Sequence, residues 1–185
     1  MADIEVSATE IDGLVVATLP AFEDDRGVVR EFFRASAWED AGLPKLGPWA
    51  QVNVTETRQG TIRGLHGEFM HKLVGVAAGE ALGAYVDVRR DSDSFRQVVT
   101  VPLTLGTQVL VPEGVCNGFQ ATSDGGCVYV YCFDREWEAG MPGMAVHALD
   151  PALGIAWPLP VDPDDPAMLS ARDRTLPTLA ELEGY

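Results

Sequence analysis

Short apolar runs, rich in valine, leucine and aromatic residues, recur along the chain between glycine, proline and aspartate breaks. They fall at 14–19, 28–33, 49–55, 72–77, 81–89, 97–103, 107–111 and 128–133. Their length and spacing are those of strands, and few segments keep the 3.6-residue period that an alternating α/β chain needs. The pattern predicts an all-β domain, a sandwich or barrel, and a jelly roll satisfies the number of strands. Helix is expected only at 35–41 and in the tail at 169–182, where Ser170 is placed to cap a turn with Asp173 at its third position. The stretch 158–166 holds four prolines, cannot keep a ladder, and reads as a connector wrapping over the barrel. No internal repeat is visible, and residues 1–185 read as a single domain.

Ala77-Ala-Gly-Glu80 reads as a tight turn between two of these runs. Pairing around Ala78-Gly79 or around Gly79-Glu80 sets Lys72 opposite Tyr85 or Asp87, so all three point to one face in either register. If Val74, Val76 and Gly83 line that face too, it is the barrel interior, where a lysine and an aspartate need each other or a ligand. The alternative is a solvated outer face carrying a weak ion pair.

With 185 residues, 46% of them hydrophobic, the chain is long enough for one sizeable core. Its formal net charge of -15, from 13 Lys and Arg against 28 Asp and Glu, argues against nucleic acid, whose phosphates are bound by surplus cations. An anionic ligand therefore needs a local basic pocket. The three cysteines, Cys116, Cys127 and Cys132, lack metal-site spacing and read as buried free thiols in a reducing compartment. The opening Met-Ala-Asp-Ile-Glu-Val has neither the basic nor the apolar region of a signal peptide, and no run approaches about 18 apolar residues. A soluble cytoplasmic protein with no membrane partner is expected.

The densest chemistry lies in Gly60-Thr-Ile-Arg-Gly-Leu-His66, which sets a side chain able to take a proton near neutral pH beside one that is always cationic. In a regular strand Arg63 and His66 face opposite ways unless Gly60 or Gly64 bends it. The pair suggests proton transfer next to an anion. His71 would face away from Lys72 in a continuous strand and reads as a surface or subunit contact, and His147 reads as structural. Arg89 and Arg90 read as surface partners of Asp91 and Asp93.

Taken in order, Arg63-Gly-Leu-His66, Lys72-Leu-Val74, Val86-Asp-Val-Arg89, Val111-Pro-Glu-Gly-Val-Cys-Asn-Gly-Phe119, Asp150-Pro-Ala-Leu-Gly-Ile-Ala-Trp-Pro158 and Leu169-Ser-Ala-Arg-Asp173 resemble the motifs of the dTDP-4-dehydrorhamnose 3,5-epimerases. The resemblance runs from about Phe22 to Leu179. It implies a cupin-type jelly roll with a few short helices, mainly C-terminal, and a homodimer. The implied substrate is a dTDP-linked 4-keto-6-deoxyhexose of deoxysugar biosynthesis, inverted at C3, C5 or both through an enolate, with no metal or organic cofactor. A C–H bond beside a ketone becomes acidic only when a base is in place and the enolate oxygen meets a positive group. His66 fits the base and Lys72 the enolate partner. The family's orienting carboxylate falls at Asp173, where it would fix the histidine tautomer and stabilise the imidazolium. On residue pattern alone, Asp173 reads instead as a solvent-facing carboxylate in the first turn of a short helix. Arg63 and Arg26 are implied as the diphosphate clamp. Phe22 is implied to stack on the base, Glu31 to contact its edge, and Gln51 and Asn53 to lie near the sugar. Asp87, Asn117, Tyr131 and Trp137 complete the implied substrate contacts.

Two positions depart from the family pattern. Asn117 stands where a histidine usually follows Pro-Glu-Gly, and it can hydrogen-bond but not carry a charge. The family's acid is implied to be the second of two closely spaced tyrosines. Counting without gaps from Asn117 places Val130 and Glu136 there, and one inserted residue in Ser123-Asp-Gly-Gly-Cys127 places Tyr131 and Trp137. Neither alignment supplies a phenol at the acid position, yet inverting a carbon requires a proton delivered to the face opposite the base. Glu136, Tyr129, Tyr131 or a bound water is the expected replacement, with Trp137 as a wall. Three other functions stay open. They are a keto-isomerase on the same substrate class, a non-catalytic sugar-nucleotide-binding cupin, and a metal cupin recruiting His66, His71 and His147, for which no His-x-His pair exists.

Overall fold

The computed structural model describes residues 4–182, so the outermost residues of the expected 1–185 domain lie outside it. Thirteen strands are described, the first five being β1 (Glu5–Ala8), β2 (Val15–Thr18), β3 (Ala21–Asp24), β4 (Gly27–Arg30) and β5 (Gln51–Thr57). There follow β6 (Ile62–Glu68), β7 (Lys72–Ala78), β8 (Ala81–Asp87) and β9 (Val98–Leu103). The last are β10 (Thr107–Val111), β11 (Val115–Ala121), β12 (Cys127–Phe133) and β13 (Gly143–Ala145). One sheet runs β1-β2-β10-β7-β12-β5 and the other β13-β6-β11-β8-β9, while β3 and β4 pair separately. The two large sheets face each other, with Val74, Val76 and Val109 of the first packed on Tyr85, Leu103 and Phe119 of the second. This is the expected all-β cupin-type sandwich.

Each outer face is covered by a different part of the chain. The helix α1 (Ala35–Asp40) buries Trp38 against Leu73, Leu110 and Val130 of the first sheet. The C-terminal third wraps the second, where Leu153, Leu169 and Leu182 pack on Leu65, Val86 and Cys116. The proline-rich connector is pinned there by Gln120, whose carboxamide exchanges hydrogen bonds with the Leu159 backbone at 3.0 Å each. That wrap brings residues 170–173 back to β6.

Three expectations need correction. β7 and β8 are not a hairpin. β7 pairs with β10 and β12, and β8 with β11 and β9. Both strands are buried almost throughout, as interior strands of two different sheets, and the turn at Gly79 crosses between them. Lys72, Tyr85 and Asp87 are nevertheless buried as expected, contributed from opposite sheets. Asp87 does not meet Lys72. It takes both Arg89 and the hydroxyls of Ser92 and Ser94, which also removes Arg89 from its expected pairing with Asp91 and Asp93. Burial alone would raise the Asp87 carboxyl, but these donors outweigh it and hold it at about 2. Lastly, the tail at 169–182 is not a long helix but irregular chain around one 3-10 turn, Asp173–Thr175. Pro177 cannot continue a helix. The Ser170 cap holds, since its Oγ accepts the Asp173 N–H at 3.1 Å.

All three cysteines are free and buried, and burial pushes the Cys116 thiol up to about 12. Among the described residues no helix is long and apolar enough to cross a membrane.

Candidate active site

A cavity of about 610 Å³ opens between the two sheets, with β6 and β11 on one side and β5 and β12 on the other. Its chemistry depends on a break in β6. His66 pairs with Asn117 of β11, whereas Arg63 pairs with Phe119, so Gly64 and Leu65 oppose the single residue Gly118. That is a bulge, and it shifts the alternation of the strand. Arg63 and His66 therefore both line the cavity, as only a bent strand allows. Gly64 sits at φ +118°, and a Cβ built on it would lie 2.6 Å from the Gly118 Cα. No larger residue fits that approach.

His66 Nε2 lies 2.7 Å from Asp173 Oδ1. Asp173 is buried, which alone would raise its carboxyl, but the His66 hydrogen bond and charge, with Ser170 and Arg172, bring it below its ordinary value. An ionised carboxylate only accepts, so Nε2–H is the donor and the neutral imidazole carries its free lone pair on Nδ1. The solvent-facing alternative for Asp173 is excluded by its burial. Lys72, 6% exposed in its side chain, donates to Asn117 Oδ1 at 2.8 Å and to the His66 carbonyl at 3.2 Å, and forms an ion pair with Glu68.

The facing wall comes from β12, whose alternate residues Tyr129, Tyr131 and Phe133 line the cavity. Tyr129 is fully buried and stacked on Phe119 at 3.9 Å. Tyr131 is half-buried, and its hydroxyl shares a 2.5 Å hydrogen bond with Thr55 of β5. Of the replacements considered for the acid, Tyr129 and Tyr131 thus reach the cavity, and Glu136 is not among its lining residues. Trp137 does line it.

The remaining expected residues divide in two. Asn53 and Asn117 line the cavity, as does Arg63, whose Nε–H donates to Thr57 Oγ1 at 3.0 Å. Gln51 stands behind them, accepting the Trp137 N–H at 2.8 Å and donating to Asn53 Oδ1 at 3.0 Å. Asp87 does not line it, because its carboxylate is held by Arg89, Ser92 and Ser94. Nor do Phe22, Arg26 or Glu31 of the same chain. They sit on or just after the exposed β3–β4 hairpin, where Arg26 pairs with Asp24 at 2.5 Å and Glu31 with Arg34 at 2.8 Å. Sequence reasoning missed Arg58, Arg172 and Glu68, all of which line the cavity. Arg172 lies inside the Leu169–Asp173 motif, and Arg58 just before the glycine-bounded heptad, which was the available signal.

The three histidines are held apart. His66 bonds Asp173, His71 bonds Asp134 at 3.0 Å, and His147 Nδ1 accepts the Leu149 N–H at 3.1 Å. Among the described residues no group of three His, Cys, Asp or Glu is arranged to hold a metal ion.

The chain is similar to known proteins along nearly its whole length. The family profile described as dTDP-4-dehydrorhamnose 3,5-epimerase matches residues 8–181. A protein of that name from Methanothermobacter thermautotrophicus is 31% identical over 193 residues, covering 100% of both chains. A dTDP-4-dehydro-6-deoxyglucose 3-epimerase from Streptomyces bikiniensis is 33% identical over 168 residues, covering 86% of this chain and 81% of its own. The solved structure of RmlC from Streptococcus suis in complex with dTDP-D-xylose superposes with a TM-score of 0.87 at 27% identity, covering 100% of this chain and 95% of that one. A match that spans the fold, the bulged β6 and the C-terminal segment carrying Asp173 leaves one assignment: the chain belongs to the dTDP-4-dehydrorhamnose 3,5-epimerase family.

Proposed function

We propose that this protein epimerises a dTDP-linked 4-keto-6-deoxyhexose at C3, C5 or both, in deoxysugar biosynthesis. One observation carries the reading: the His66–Asp173 dyad and the Tyr131 phenol line a single cavity from its two facing sheets. The His66 Nδ1 lone pair takes the proton from the carbon beside the C4 ketone, and the C–H electron pair moves through the new C=C bond onto the ketone oxygen. Asp173 stabilises the imidazolium so formed, and Lys72 the enolate. Tyr131 then returns a proton to the carbon on the other face, completing the inversion.

The sugar nucleotide's diphosphate is met by Arg63, Arg58 and Arg172, the local basic pocket that a chain of net charge -15 requires. Phe22, Arg26 and Glu31 keep their nucleotide role in a homodimer, where the hairpin of one copy enters the cavity of the other. The hairpin is exposed along both strands, with Phe22 and Val29 at 47% and 67% exposure, and the edge strand β5 also leaves Val52 and Val54 exposed. The chain works as one domain, its family match running nearly end to end. Three free buried cysteines suit a reducing cytoplasm.

Proton NMR of dTDP-4-keto-6-deoxyglucose incubated with the protein in deuterated water tests the reading. Deuterium at C3 or C5 together with an inverted product is expected. Binding of dTDP with neither label nor product would leave a non-catalytic module, and a carbonyl moved to C3 would make it a keto-isomerase.

A further inference from the structure

An ammonium group has three N–H donors and no acceptor. In this protein the Lys72 Nζ meets three acceptors: the His66 carbonyl at 3.2 Å, Asn117 Oδ1 at 2.8 Å, and the carboxylate of Glu68. The first is fixed in the β6 backbone, and the second is a neutral carboxamide on β11. Glu68 differs from both. It is anionic, lies two residues after His66 at the end of β6, and lines the cavity with 17% of its side chain exposed. The reaction proposed above asks the same ammonium to hold an enolate oxygen, which is also an anion. No fourth donor exists for it.

We infer that Glu68 competes with the substrate for Lys72: its carboxylate holds, as an ion pair, the side of the ammonium that the enolate oxygen takes during the reaction. The inference rests on the epimerase reading. Glu68 gives a buried ammonium a counter-ion when no substrate is bound, and such a charge is costly to leave unpaired. The same carboxylate sets a second negative charge beside the forming enolate, which opposes proton removal. Glu68 therefore limits the rate and favours substrates whose C4 oxygen displaces it.

Glu68→Gln keeps the shape and the acceptor oxygen and removes the charge. Its kcat/KM for deuterium uptake from solvent into dTDP-4-keto-6-deoxyglucose should rise roughly tenfold, the size of a partly screened charge contact. Its Kd for dTDP, which lacks the hexose and therefore the sugar's C4 oxygen, should stay unchanged and serves as the folding control. Glu68→Ala should show a gain of the same sign. Uptake that is unchanged, or lost while dTDP still binds, overturns the inference, the second result making Glu68 a participant. A wild-type protein that takes up no deuterium overturns the epimerase reading and this inference with it. Wild-type uptake without a gain in Glu68→Gln overturns this inference alone.

Discussion

In the proposed mechanism His66 becomes a base through its neighbours. Nε2 is committed to a buried carboxylate held below its ordinary value, which leaves Nδ1 as the proposed proton acceptor. His71 has a carboxylate partner as well, Asp134, but with 44% of its side chain exposed and no part in the cavity lining. The two histidines therefore predict opposite outcomes. His66→Ala should abolish deuterium uptake, whereas His71→Ala should leave it largely intact, measured under identical conditions by NMR. Equal losses would remove the assignment of the base. At this scale the sequence was most legible where residue types are rare. A histidine and an arginine among glycines mark the site, but Glu68 and Arg58 look like any of the chain's many charged residues until the fold brings them to the cavity.

Among the elements, β6 decides the site. Gly64→Ala adds a Cβ at 2.6 Å from the Gly118 backbone, at a φ of +118° that L residues rarely adopt. It should destabilise the fold by about 2–4 kcal/mol, read from the urea midpoint, and reduce deuterium uptake even where the protein remains folded. A stable, fully active Gly64→Ala protein would show that the bulge does not position His66. The same element explains why part of the fold could not be read. The apolar runs at 107–111 and 128–133 became β10 and β12 with little change, because buried strands of valine and aromatics have no competing pattern. β6 and β11 were not seen as strands, since Arg63, Gly64, His66, Asn117 and Gly118 break their alternation. Those residues all line the cavity, so the candidate site hid the secondary structure that carries it. The β7–β8 turn failed for another reason: local turn chemistry does not say whether the next strand joins the same sheet or the facing one.

In the whole molecule, the site draws on segments far apart in sequence and, in the homodimer proposed, on two copies. Arg26→Ala and His66→Ala should each lose activity as pure proteins. Unfolding and refolding them together should restore roughly a quarter of wild-type activity, because half of the dimers are mixed and each holds one complete cavity. Restoration to nothing above the pure variants would return the hairpin to its own chain. Across the cavity, the proposed inversion draws on groups from both sheets, with His66 to remove the proton and Tyr131 to supply one, and both line the cavity. The most direct test is Tyr131→Phe in deuterated water, following label uptake and product stereochemistry in the same NMR experiment. Uptake into the substrate should persist while inversion falls by at least about a hundredfold. Inversion at the wild-type rate would contradict the two-sided mechanism.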